Sequence, residues 1–154
     1  MSRILCTLAL CVMSFSLAAA EKPRIEYHKA ASDTERDLPF SDAVRVGNLL
    51  FLSGKIGNIP GTLKLAPGGI QGETRQALEN IKATLARTGS SMGEVVKCTV
   101  FLADISEWAA MNEVYIEYFP AHPPARSALG VNGLALGAKT EIECIASVSE
   151  NAGN

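Results

Sequence analysis

The stretch "DAVRVGNLLFLSG", residues 42–54, decides the fold. Gly47-Asn48 separates two strand-like runs and is the kind of dipeptide that closes a tight hairpin. The second run, Leu49 to Leu52, has no polar alternation at all. A strand that is apolar on both faces is covered on both, so its sheet needs helices on one side and more protein on the other.

Working outward, "KIGNIPGTLKLAPGGIQG", residues 55–72, is rich in glycine and proline and reads as a loop. The helix after it places Ile70, Thr74, Ala77, Leu78, Ile81 and Leu85 on one stripe, with Gly89 positioned to stop it. "EVVKCTVFLAD" alternates, Val96, Cys98, Val100 and Leu102 pointing one way and Lys97, Thr99 and Phe101 the other. Asp104 or Ser106 then caps a second helix, in which Trp108, Met111, Tyr115, Tyr118 and Phe119 recur at helical spacing up to Pro120. That aromatic stripe reads as core packing. A strand from Arg126 to Val131 and a last strand, "TEIECIASV", complete the domain. The order predicts an α+β sandwich with two helices on one face of a sheet. The other face carries the outward half of Leu49 to Leu52 with Phe101 and Ile145, so a second copy of the chain is the expected cover.

The remainder of the chain bounds the function. The 154 residues carry a net charge of −2 with scattered lysines and arginines, which gives nucleic acid no electrostatic footprint. Residues 1–20, "MSRILCTLALCVMSFSLAAA", combine an early cation, a short apolar run and a small-residue end. That is the pattern of a secretory signal peptide, cleaved after Ala20, and it implies a periplasmic or secreted protein with no membrane span after cleavage. Residues 21–38 read as a polar lead-in with a short strand at Ile25 to Tyr27, and residues 39–150 as a single domain. Cys98 and Cys144 remain in the mature chain, each in an apolar run; one disulfide is possible, and the reading favours free, buried thiols. His28 and His122 stand at no metal-ligand spacing from them, and His122 reads as an exposed loop residue. "PGGIQGE" lacks the Gly-Lys-Ser/Thr ending of a phosphate loop and reads as a turn that starts a helix.

Two residues stand out chemically. In "PAHPPARSALGV", residues 120–131, Arg126 follows a proline-rich elbow and enters a small, apolar run. A guanidinium is costly to bury without an anionic partner, which is either a protein carboxylate or one on a ligand. In the last strand Ile142, Cys144, Ala146 and Val148 belong under the helices, so Glu141, Glu143 and Ile145 point to the expected interface. Glu143 there is either a proton acceptor that positions a water or one half of an ion pair with an arginine.

Taken together, "LPFSDAVRVGNLLFLSGKIG", "GGIQGETRQALENIKATL", "VVKCTVFLADISEWAAMNEVYIEYF" and "PPARSALGV…GAKTEIECIA" resemble the RidA (YjgF) family of enamine/imine deaminases, in order from about Pro39 to Val148. The resemblance implies a chorismate-mutase-like α+β fold, a homotrimer with sheets facing a central barrel, and active sites in clefts between subunits. It also implies hydrolysis of reactive small 2-imino acids to 2-oxo acids and ammonia without a cofactor or metal. By position Arg126 matches the arginine that clamps the substrate carboxylate and Glu143 the glutamate that orients the attacking water. Ser53 and Gly54 match the loop that lines the pocket. Phe40 stands where many members have a tyrosine, Ala128 where many have a cysteine and Lys55 where glutamine is common. A non-catalytic ligand-binding or chaperone-like trimer of the same fold is the other class the resemblance admits.

Overall fold

The structure, a computed structural model, describes residues 22–29 and 38–149. The segment read as a signal peptide lies outside the described residues. One mixed sheet runs in the order β1-β2-β3-β7-β5-β6. Its strands are β1 (Ile25–His28), β2 (Ala43–Val46), β3 (Leu49–Leu52), β5 (Val95–Leu102), β6 (Ala125–Gly130) and β7 (Thr140–Ser147). Two helices, α1 (Gly69–Arg87) and α2 (Trp108–Tyr115), complete the α+β layers. Among the described residues no helix is long and apolar enough to cross a membrane.

The hairpin forms as the sequence dictates. Val46 pairs with Leu49 across a two-residue turn in which Gly47 takes φ 60°, a backbone region that favours glycine. Leu50 and Leu52 face the helices and are buried, whereas Leu49 and Phe51 lie 38% and 41% exposed on the other face. The helix-facing residues of β3, β5 and β7, namely Leu50, Leu52, Val100, Leu102, Ile142 and Ala146, pack on Leu78, Ile81, Leu85 and Met111. α1 ends where its sequence says, with Gly89 at φ 81° and the Ser90 N–H donating to the Leu85 carbonyl at 2.9 Å. Three polar bridges then lash α2 and the turn after it to α1: Gln71 to Glu113, Arg75 to Glu117, and the Tyr118 hydroxyl to Glu79.

Four expectations are corrected. Val96 does not face the core: β5 carries a bulge between Val95 and Lys97, so Val95 is buried and Val96 is 49% exposed. The glycine-rich loop contains a short strand, β4 (Lys55–Ile56), which pairs with β7. The α-helical part of the second helix stops at Tyr115 and tightens into a 3₁₀ turn at Ile116–Tyr118 before Phe119. The cysteines are joined, since Cys98 and Cys144 stand directly opposite in the antiparallel register with Cα atoms 4.1 Å apart and form a disulfide. Alternation showed that each cysteine faces the core. It carried no information on register, and register is what makes them partners.

Asp42 is the most heavily committed buried charge. It is 2% exposed and accepts hydrogen bonds from the Lys55 ammonium, the Arg87 guanidinium and, at 2.9 Å, the Thr84 hydroxyl. The start of β2 is thereby tied to α1 and β4.

Candidate functional site

β6 is an edge strand, the partner of β5 in the sheet's parallel pair. The chain reaches it through α2 and the elbow at Pro123-Pro124, and a parallel pair needs such a crossover. Register places Arg126 beside Cys98, and Cys98 faces Cys144, so Arg126 lies on the helix-facing side. It is partly buried there and donates to Asn112 Oδ1 at 2.6 Å. Its guanidinium carbon stands 4.6 Å from the centre of the Tyr115 ring and 5.6 Å from that of Trp108. Both distances suit a cation over an aromatic face. Burial pushes the Tyr115 hydroxyl up to about 12, so the ring beneath the cation stays neutral. Among the described residues no carboxylate forms an ion pair with Arg126. The cation instead borders a cleft of about 540 Å³.

The other sequence-derived residues gather elsewhere. Glu143 pairs in register with Thr99, and Thr99 with Ser127, so it stands on the face away from the helices, exposed. It borders a shallow hollow of about 160 Å³ with Phe51, Lys97 and Ile145. Arg126 and Glu143 therefore lie on opposite faces of the sheet in one chain, and the ion pair that spacing allowed between them is not formed.

Ser53 and Gly54 pass over β7 in a bulge. Phe51 pairs with Ile145 and Lys55 with Ile142, so Leu52, Ser53 and Gly54 run opposite only Glu143 and Cys144. The Ser53 hydroxyl is committed to the Ser41 carbonyl at 2.6 Å, which holds the segment after Phe40, itself 50% exposed, against this loop. A Cβ on Gly54 would overlap the carboxylate of Glu141, so a bare backbone is needed for that side chain to lie there. Glu141 is held above its ordinary value of 4.5, first by burial and then by the negative charge of Glu143. A carboxyl raised in this way holds its proton more readily than one in water.

The sequence reading missed Asn112, Trp108 and Tyr115 as neighbours of Arg126. They stand at i, i+4 and i+7 of one helix, and a polar residue inside an aromatic stripe was the available signal. The stripe is core at Met111, Tyr115 and Phe119, whereas Trp108 departs from it at 43% exposure. His122 is exposed, as expected of a loop residue.

Comparison with known proteins follows the same lines. The family model described as endoribonuclease L-PSP matches residues 32–148. The reactive intermediate deaminase A, chloroplastic, of Arabidopsis thaliana is 40% identical over 136 residues, covering 88% of this chain and 71% of that one. The 2-iminobutanoate/2-iminopropanoate deaminase of Capra hircus is 44% identical over 108 residues, 70% of this chain and 79% of its own length. The crystal structure of E. coli TdcF with bound serine superposes with a TM-score of 0.69 at 36% identity, covering 80% of this chain and 94% of that one. The chain belongs to the RidA (YjgF) family, the one also described as endoribonuclease L-PSP.

Proposed function

We propose that this protein is a hydrolytic deaminase of 2-imino acids, exported and working as a trimer. The observation that carries the reading is Arg126: a half-buried guanidinium, oriented by Asn112 and two aromatic rings, bordering a cleft and without a carboxylate partner among the described residues. A substrate carboxylate would take its remaining donors as a bidentate pair. A relative named 2-iminobutanoate/2-iminopropanoate deaminase and the serine bound to TdcF support a small amino-acid-like anion as the ligand.

Water then adds to the C=N carbon, the nitrogen gains a proton, and the carbinolamine collapses to the 2-oxo acid and ammonia. The imine is already electrophilic, so the protein's part is to orient the acid, hold the water and pass protons. A β7 carboxylate suits that part. Glu143 is the residue the family resemblance assigned, and the raised, half-buried Glu141 beside Gly54 is the better supported by its setting. Both lie on the face opposite Arg126, so the complete site would draw the arginine from one copy and the glutamate, Phe40 and the Ser53-Gly54 loop from its neighbour. The uncovered Leu49, Phe51 and Ile145 support packing between copies. The leader pattern at residues 1–20 and a disulfide in the mature domain both favour an oxidising compartment.

The test is ammonia release from an imine generated in situ by an amino acid oxidase. The protein should accelerate release, and Arg126→Ala should lower kcat/KM by at least about 100-fold, the scale of a lost charged anchor. No acceleration, or an Arg126→Ala variant as active as the parent, overturns the reading. The Phe40 side chain, which brings no hydroxyl to the site, favours one rival, a ligand-binding trimer without turnover; tight binding of a carboxylate with no ammonia release would establish it.

A further inference from the structure

We infer that the cleft beside Arg126 selects 2-imino acids with branched or aromatic side chains over the three- and four-carbon acids that the family resemblance implies. The inference rests on the reading of Arg126 as the carboxylate anchor. It starts from a mismatch of size. In a single chain the cleft offers about 540 Å³, and the part a neighbouring copy leaves open need only exceed what a methyl or ethyl group beside a carboxylate fills.

Its walls decide the chemistry. Beyond Arg126, Asn112 and Tyr115 they are mostly apolar, with Trp108, Ile116, Phe119, Pro123 and Pro124 among them, while the Glu113 carboxylate is taken by Gln71 at 2.6 Å. Trp108 is the only tryptophan of the chain and is 43% exposed although it borders a guanidinium. A large apolar ring left partly in water, next to a cation that wants an anion, matches a ligand that is charged at one end and apolar at the other. The two prolines of the lining are rigid, so little ordering is needed there on binding.

A carboxylate held at Arg126 would extend its side chain along Trp108 toward Ile116 and Pro123. Three more buried carbons, an isobutyl group in place of methyl, give a preference of about eight-fold if only half of the transfer free energy is realised and about 60-fold if all of it is.

The experiment compares imines made in situ from alanine, leucine and phenylalanine, for the parent protein and Trp108→Ala. The expected result is a kcat/KM at least about ten-fold higher for the leucine and phenylalanine imines than for the alanine imine. That ratio should collapse by about ten-fold in Trp108→Ala. In parallel, quenching of the single tryptophan is titrated with 4-methyl-2-oxopentanoate and with pyruvate, in the parent and in Arg126→Ala. Imine hydrolysis with no preference for the larger acids overturns the inference and leaves the deaminase reading standing; a cleft filled by the side chains of a neighbouring copy would give this result. No hydrolysis of any imine, with 4-methyl-2-oxopentanoate bound at least ten-fold tighter than pyruvate and lost in Arg126→Ala, overturns the deaminase reading and upholds the cleft's selectivity. Neither hydrolysis nor selective binding overturns both.

Discussion

Loss of the Cys98–Cys144 bond should cost this domain a large part of its stability. The bond joins residues 46 apart in sequence. Closing a loop of that length removes about 14 cal/mol/K of chain entropy from the unfolded state, which is about 4 kcal/mol at 25 °C. Folded domains of this size have a margin of only about 5–15 kcal/mol. The double variant Cys98→Ala/Cys144→Ala, melted at one fixed protein concentration so that any assembly equilibrium is held constant, should unfold roughly 15 °C below the parent. Reductant gives an independent measurement. Both sulfurs sit in residues no more than 2% exposed, so exchange with an external thiol needs prior opening of the core. The folded parent should therefore keep its melting temperature after brief exposure to reductant, and lose it when reduced in denaturant and refolded with the thiols blocked. Mass spectrometry after alkylation of the denatured, unreduced protein should find no alkylated Cys98 or Cys144. Alkyl groups on both of these cysteines, or a double variant that melts within about 2 °C of the parent, would refute the reasoning.

If Glu141 holds the water, Gly54→Ala should cut turnover while costing less than about 1 kcal/mol, because the new methyl need only push aside the flexible Glu141 side chain; kcat and a thermal melt measured together check it. Glu143→Gln removes the second cause that holds the Glu141 proton on, so the Glu141 pKa falls toward its ordinary 4.5. If Glu141 must be ionised to hold the water, the acid limb of the pH–rate profile moves to lower pH in that variant, and an unmoved limb would remove Glu141 from the role. The same raised pKa gives a stability sign: Glu141 binds its proton more tightly folded than unfolded, so its contribution favours the folded state at low pH and is lost as pH rises through its folded value. Asp42→Asn removes the carboxylate that Lys55, Arg87 and Thr84 share and should destabilise by about 1–3 kcal/mol, read from denaturant unfolding.

The layers of the fold were legible because each is written locally. The hairpin at Gly47-Asn48, the stripe from Ile70 to Leu85 and the alternation of Ile142 to Val148 are patterns of period 2 or 3.6 within single elements. What escaped depended on relations between elements. The Val96 bulge shifts a strand by one residue without any change of composition, and the disulfide follows from register across β5 and β7. The site divides the same way. Arg126 announced itself as a charge in an apolar run, but its half-site on α2 could be seen only once the crossover laid Asn112 against it. Glu141 and Glu143 are chemically alike in sequence, and the close pass of Gly54 is what distinguishes them.

The crossover that delivers β6 bears on the order of folding. Arg126 and Asn112 are only 14 positions apart, so this cation can find its seat through a short loop. Gly54 and Glu141 come from the first hairpin and the last strand, and their meeting waits for closure of nearly the whole domain. The Arg126–Asn112 half would thus be laid down early and the Gly54–Glu141 half last, and hydrogen exchange would see the two halves open separately, the Ser53-Gly54 bulge at lower free energy than the α2–β6 unit. On the proposed reading of the site, a folding defect at the hairpin would yield a chain that binds acids without turning them over.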